Sequence, residues 1–297
     1  MQRPITGSED INTQLIENEW VASVLKDFRL SVSALHAYLT CPLSFYFEYI
    51  LKVPTASSEA SRYGSAMHYA LRKLFGEMMR SKEKQFPNVD EFVRYFEIDL
   101  TRQRSHYSER DFARRLATGR DNLRRFYEQN INKWSKNVLI EKQYLSESDG
   151  VPLKGVIDKI EFSDDGNVHI VDYKTGKFDS TRLNRPTPKN PNGGGYWRQL
   201  VFYKILYENY RSNLVRVKSG EITYLEPDAK GIFKTKNVEI TSKDVEILRG
   251  LMVTSWGKIQ NQEFNGCGKK DCVWCRFIKN NQTVDSFANI ETEYLDD

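Results

Sequence analysis

Apolar and polar residues alternate from Val151 to Phe162 and again from Val168 to Lys174, on either side of Asp164-Asp165-Gly166. A period of two marks a strand, and an Asp-Gly turn between two such runs predicts a β-hairpin. Pairing Phe162 with Val168 places Asp158 directly opposite Asp172, on the face that also carries Lys174, Val168 and Ile170. Three further runs, Asn137 to Glu147, Glu221 to Glu226 and Lys236 to Thr241, read as strands.

Elsewhere the spacing is helical. Asn12 to Phe28 repeats Leu15, Ile16, Trp20, Val24, Leu25 and Phe28, an amphipathic helix that packs on the body or on a partner. Leu30 to Val53 reads as two short helices broken at Cys41-Pro42, with Ser31 or Ser33 capping the first and Pro42 in the first turn of the second. Ser61 to Met79, two segments within Asp90 to Trp134, the strongly apolar Tyr196 to Tyr210, and Thr241 to Gln262 (Val245, Leu248, Leu251, Met252, Trp256, Ile259) complete the set. Strands and helices in this order predict an α/β chain: a small mixed sheet around the hairpin, helices on both faces.

Two facing carboxylates change the picture. Like charges directly opposite in an antiparallel pair are destabilising, and a carboxylate among Val156, Ile160 and Ile170 is costly to bury unpaired. A divalent cation on oxygen ligands would neutralise the pair, and Lys174 would stabilise an anion or help activate a water. The alternative is a surface hairpin whose Asp and Lys side chains are solvated or paired with each other.

Composition sets outer limits. The 297 residues are 39% hydrophobic and 28% charged with a mean hydropathy of -0.61, values of a soluble globular protein. No stretch approaches the roughly 18 apolar residues of a membrane span, and MQRPITGSED lacks an apolar signal core, so the expectation is a cytoplasmic protein without a membrane partner. A net charge of +4 and a pI near 8.7 permit nucleic-acid binding without demonstrating it.

Arg102, Arg104, Arg110, Arg114, Arg115, Arg120, Arg124 and Arg125 interleave with Tyr107, Phe112, Phe126 and Tyr127. They form either a groove for single-stranded DNA or a solvated face balanced by Glu109, Asp111, Asp121 and Glu128. The run RPTPKNPNGGG within Phe178 to Tyr196 reads as a mobile loop, from which Arg182, Arg185 and Lys189 would brush a phosphate backbone. There is no G-x4-G-K-[ST], hence no P-loop hydrolysis of ATP. Cys267-x4-Cys272-x2-Cys275 is a compact chelating knuckle, and Cys41 is the one remaining thiol. Iron-sulfur cluster, zinc and free thiols stay open for these four.

The string G-V-I-D-K-I, followed by V-D-Y-K-T-G, resembles the core of the PD-(D/E)XK nuclease superfamily and, within it, the RecB-like/AddB-like branch. Ser31-x-Ser33-x-Leu35-x-x-Tyr38-x-x-Cys41-Pro42, Gly64-x-x-x-His68 and Gln199-x-x-x-Tyr203 match that branch as well, and Glu141 resembles its V-E-x-x-F glutamate. His36, His106 and His169 match no such motif. The resemblance implies a restriction-endonuclease-like fold with a helical N-terminal insertion: an extension over 1–30, a nuclease domain over 31–277 and a tail over 278–297. Within the domain, 31–135 would be helical, 136–262 the catalytic core and 263–277 the cysteine knuckle.

It further implies a DNA exonuclease acting on single-stranded or duplex ends in recombinational repair, beside a helicase subunit or as the nuclease domain of a helicase-like chain. His68, Asp158, Asp172 and the backbone carbonyl of Tyr173 would hold Mg2+ or Mn2+, Lys174 would serve the attacking water, and Gln199 and Tyr203 would steady the strand. Cys41, Cys267, Cys272 and Cys275 would carry a 4Fe-4S cluster, with zinc as the alternative because the spacing departs from the branch's C-x2-C-x5-C. Two other classes remain: a catalytically inactive, DNA-binding scaffold of the same fold, and a zinc-knuckle interaction module whose hairpin carboxylates are incidental.

Overall fold

A computed structural model describes residues 18–54, 58–211 and 215–280. The larger of its two compact units comprises 58–148 and 153–249 among these residues. Its sheet runs β1 (Val138–Ser148), β2 (Val151–Phe162), β3 (Asn167–Lys174), β4 (Arg216–Pro227) and β5 (Phe233–Glu239), in that spatial order. β2 and β3 pair antiparallel, β3 and β4 parallel, and β4 and β5 antiparallel, so the sheet is mixed. The hairpin has the expected register, Phe162 opposite Val168 through Lys159 opposite Val171. Its turn is held by Asp165, whose Oδ1 accepts from the Asn167 amide at 3.1 Å.

One side of the sheet is covered by α4 (Glu59–Arg80), α5 (Val89–Arg102) and α6 (Glu109–Asn130). Ser58, Asn88 and Ser108 cap them by accepting from the amides of Ser61, Glu91 and Asp111. Their apolar stripes, among them Met67, Leu74, Phe75, Phe92, Phe96 and Phe126, pack with Val171, Tyr173 and Leu225 of the sheet. α7 (Gly195–Tyr210) packs on β1, β3 and β4. It is buried nearly all round, from Trp197 and Leu200 to Leu206 and Tyr207, as its strongly apolar sequence requires. α8 (Ser242–Gln260) starts on a reciprocal cap: Thr241 Oγ1 accepts from the Asp244 amide at 3.2 Å and Asp244 Oδ2 from the Thr241 amide at 2.9 Å.

The smaller unit joins 18–54, 149–152 and 250–280. It holds α1 (Asn18–Lys26), α2 (Val32–Thr40) and α3 (Pro42–Phe45), the last running into a π turn over Tyr46–Ile50. The break at Cys41-Pro42 is as expected, and Ser31, not Ser33, caps α2, accepting from Ala34 at 3.2 Å. Its core is aromatic: Phe45 stacks on Phe264 at 5.9 Å and Phe47 on Trp274 at 4.4 Å. The Tyr38 hydroxyl donates to the Glu263 carbonyl at 2.9 Å. Of the stripe read over 12–28, Leu25 is buried, Val24 and Phe28 are half-buried and Trp20 is 41% exposed, while Val21, outside that stripe, is buried; positions 12–17 lie outside the described residues.

Two sequence expectations are corrected and one open alternative is narrowed. Val156 is 46% exposed and takes no part in the apolar surround of the hairpin. The segment 178–194 is pinned: Arg185 grips Asp244 through Nε to Oδ1 at 2.7 Å and Nη2 to Oδ2 at 2.9 Å, and Arg198 Nη1 reaches the carbonyls of Asn192 and Gly193, each at 2.7 Å. Six of the eight arginines named from the sequence are ion-paired within the protein: Arg114 and Arg115 on Glu59, Arg120 on Glu97, Arg124 on Asp90, Arg125 on Asp121 and, in the turn between α5 and α6, Arg104 on Glu109. Phe126 is core and Phe112 and Tyr127 lean on it, which favours the solvated, ion-paired face over the groove.

Candidate active site

The site forms where the hairpin, α4 and α7 meet. Continued by one residue, the β2/β3 register sets Asp158 across from Asp172, and Asp158 Oδ2 accepts from the backbone amide of Tyr173 at 2.9 Å. From α4, His68 brings Nδ1 to 3.5 Å from the same Oδ2. One turn before His68, Gly64 faces the end of β3; a Cβ built there would stand 2.9 Å from Thr175 Oγ1, so the missing side chain lets helix and strand close up.

Asp172 is 1% exposed. Gln199 Nε2 donates to its Oδ1 at 2.8 Å, and Lys174 Nζ stands 2.7 Å from Oδ2. Gln199 Nε2 also lies 2.9 Å from the Tyr203 hydroxyl, so the pair on α7 acts as a unit. His68, Asp158, Asp172, Lys174, Gln199 and Tyr203 are thus brought together from four elements. Tyr173 contributes its amide, with its ring packed in the core beneath the sheet.

Electrostatics separate the two carboxyls. Burial pushes Asp172 up to about 6, a rise that Lys174 opposes and the nearby charge of Asp158 reinforces. Burial pushes Asp158 up too, but the hydrogen bond and charge of His68 and the Tyr173 amide outweigh it, and its carboxyl sits below the usual range. The same contact raises His68 against its own desolvation. Lys174 is likewise raised: burial lowers it and Asp172 more than restores it.

A divalent cation fits this donor set. Oδ2 of Asp172 is buried, and Lys174 Nζ at 2.7 Å is the charge that faces it. Two carboxylates and an imidazole are the hard donors that Mg2+ or Mn2+ accept. The trio is more open than the thiol cluster, whose four sulfurs alone among the described residues gather within 4.8 Å.

Those thiols belong to the smaller unit. Cys41 Sγ is 3.7 Å and Cys267 Sγ 3.8 Å from Cys275 Sγ, while Ser44 Oγ lies 3.8 Å from Cys272 Sγ. None is in a disulfide, and Cys41 and Cys275 are buried. The knuckle and the distant Cys41 therefore converge on one point, and four thiolates there suit zinc or an iron-sulfur cluster.

Two neighbours were weakly marked in sequence or unmarked. Glu141 adopts φ +36 within β1, a strained conformation for a residue with a side chain, and its carboxylate faces Arg72 Nε at 3.4 Å. It lines an open groove of about 560 Å³ with Ser61, Gly64, His68, Tyr69 and Thr175. Tyr196 is the second: Lys174 Nζ lies 5.1 Å from its ring centroid.

A family model described as PD-(D/E)XK nuclease superfamily matches residues 29–279. The crystal structure of a "Putative exonuclease" from Eubacterium rectale aligns over 90% of this chain and 94% of its own at 15% identity, with a TM-score of 0.47. That of SSO0001 aligns over 64% of this chain and 86% of its own at 17% identity and a TM-score of 0.29. No curated protein matches the sequence.

Proposed function

Because this chain belongs to the PD-(D/E)XK nuclease superfamily, we propose that it hydrolyses DNA phosphodiesters with the help of a bound divalent cation, Mg2+ or Mn2+. The observation that carries the reading is the buried Asp172, held by Gln199 on one oxygen and facing Lys174 at 2.7 Å on the other, across the hairpin from Asp158.

Asp158, Asp172 and His68 would hold the cation, with the Tyr173 carbonyl as a further ligand. Once bound, such an ion polarises a phosphoryl oxygen and acidifies a coordinated water. Asp172 holds Lys174 in its charged form, which suits it to orienting the attacking water and offsetting negative charge on the transition state. Gln199 keeps Asp172 in one rotamer, and Tyr203 braces Gln199.

The finer assignment is the RecB-like/AddB-like branch: exonuclease-type trimming of DNA ends in recombinational repair, by a domain over 31–277 that works beside or within a helicase. It is supported by the Gly64-x-x-x-His68 and Gln199-x-x-x-Tyr203 spacings and by the gathered thiols, which would carry a 4Fe-4S cluster or zinc. Calorimetric titration with Mn2+ tests the cation site. The wild-type chain should bind Mn2+ and the Asp172→Asn chain should lose that binding; equal binding by both would refute the assignment.

A further inference from the structure

The basic residues of the loop after Lys174 have different fates. Arg185 is consumed by Asp244. Arg182 instead lies against the ring of Tyr196, its Cζ 5.1 Å from the centroid and its Nη1 donating to the phenol oxygen at 2.9 Å. Lys174 Nζ is 5.1 Å from the same centroid, so a single aromatic ring links the site lysine to a guanidinium.

The side chain of Arg182 is 57% exposed, yet its backbone is clamped. A Cβ on Gly194 would stand 2.2 Å from the Arg182 carbonyl oxygen, and the Gly194 amide donates to the Asn184 carbonyl at 2.8 Å. Asp179 caps the short 3-10 turn Ser180–Leu183, accepting from the Thr181 amide at 3.0 Å. Beside it Phe178 is 43% exposed, its ring seated edge-on at 5.3 Å on the buried Tyr224. The Tyr224 hydroxyl in turn accepts from the Asp179 amide at 3.3 Å.

An exposed ion pair of Arg182 with Asp179 at 3.6 Å contributes little and gives no reason for so fixed a seat. Tyr196 and Tyr224, the rings that seat Arg182 and Phe178, meet edge to face at 6.5 Å, and a preset guanidinium and an exposed aromatic ring on one such base is the chemistry that takes a phosphate and a nucleobase together.

We propose that Arg182, Tyr196 and Phe178 form a binding site for an unpaired nucleotide of the DNA strand adjacent to the phosphodiester being cleaved. Arg182 takes the phosphate, Tyr196 spaces the guanidinium from Lys174, and Phe178 stacks on the base. A base offers its face to a side chain only outside a duplex, so the site selects single-stranded or frayed ends. That the ligand is DNA rests on the nuclease reading above.

The test is fluorescence anisotropy in EDTA, with the full chain, a labelled single-stranded oligonucleotide and a blunt duplex of the same sequence. Arg182→Ala should raise the Kd for single strand about tenfold and reduce the salt slope by about one counterion, with Arg182→Lys recovering part of the loss. Phe178→Ala should weaken single-strand binding roughly tenfold and duplex binding by less than about twofold. In cleavage assays both effects should enter KM and spare kcat.

Variants that bind single strand like wild type, or that lose single strand and duplex equally, overturn the proposal. Thermal unfolding midpoints equal to wild type exclude misfolding, and Arg182→Gln keeps the aliphatic stem should the alanine variant unfold. A wild-type chain that binds single strand through these residues without cutting it sinks the hydrolase reading and leaves this one standing; a chain that cuts DNA and ignores both substitutions does the reverse.

Discussion

Gln199 donates to Asp172 Oδ1 at 2.8 Å from the same nitrogen that lies 2.9 Å from the Tyr203 hydroxyl. One turn of α7 therefore sets the rotamer of the most buried carboxyl in the site. Gln199→Ala should lower kcat by about 10- to 100-fold, the usual cost of removing a group that orients a metal ligand. Gln199→Glu should do more harm, because it sets a third carboxylate against Asp172. Steady-state kinetics with thermal unfolding checks both: a large loss of activity with a small change in midpoint is the expected outcome.

Arg185 and Asp244 predict stability. Burial alone would raise Asp244, but Arg185, Thr241 and Trp197 donate to it and hold its carboxyl well below the usual range. A depressed folded-state pKa gives stability that is present above the unfolded value of about 3.9 and is lost as pH falls below it. Asp244→Asn should cost about 1–3 kcal/mol near neutral pH, because it weakens the charge-assisted bonds that Arg185, Thr241 and Trp197 donate to a buried carboxylate. That gap should shrink as pH falls below about 4, which denaturant titrations at stepped pH would show.

Gly194 predicts a steric effect. A methyl group there meets the Arg182 carbonyl at 2.2 Å, a backbone atom that cannot swing aside. Gly194→Ala should destabilise by about 1–3 kcal/mol and displace the turn that carries Arg182. Chemical denaturation reads the first effect and the KM for single-stranded DNA the second.

Much of this was legible in sequence because it is local. The hairpin register followed from a period of two and an Asp-Gly turn, and the α2/α3 break from Cys41-Pro42. What could not be read depends on partners far along the chain. Arg185 looked free because Asp244 lies 59 positions away, and Arg114 and Arg115 looked available because their partner Glu59 sits on another helix. Val156 fits the alternation and is still exposed, and the positive φ of Glu141 has no glycine to announce it. Arg182 and Lys174 meet through Tyr196 because a loop folds back, which spacing does not encode.

The cysteines give a separate test. Cys41 is wholly buried and reaches the knuckle at Cys275. If the four thiols share a metal, metal analysis of anaerobically purified protein should find iron with a visible absorbance, or zinc without one. Cys41→Ala should strip it and lower the unfolding midpoint, since the bound metal ties that helix to the knuckle. Full metal content in the variant would show that Cys41 is not a ligand.

The central claim is that Asp158 and Asp172 hold a cation that makes the chain cut DNA. The most direct measurement is incubation of end-labelled DNA with Mg2+, then with EDTA, using wild type and Asp172→Ala side by side. The expected result is shortening of the labelled strand by wild type that stops with EDTA and falls at least about 1000-fold in the variant. Cleavage that survives either EDTA or the substitution, or a wild type that leaves DNA intact with Mg2+ and Mn2+ alike, would contradict it.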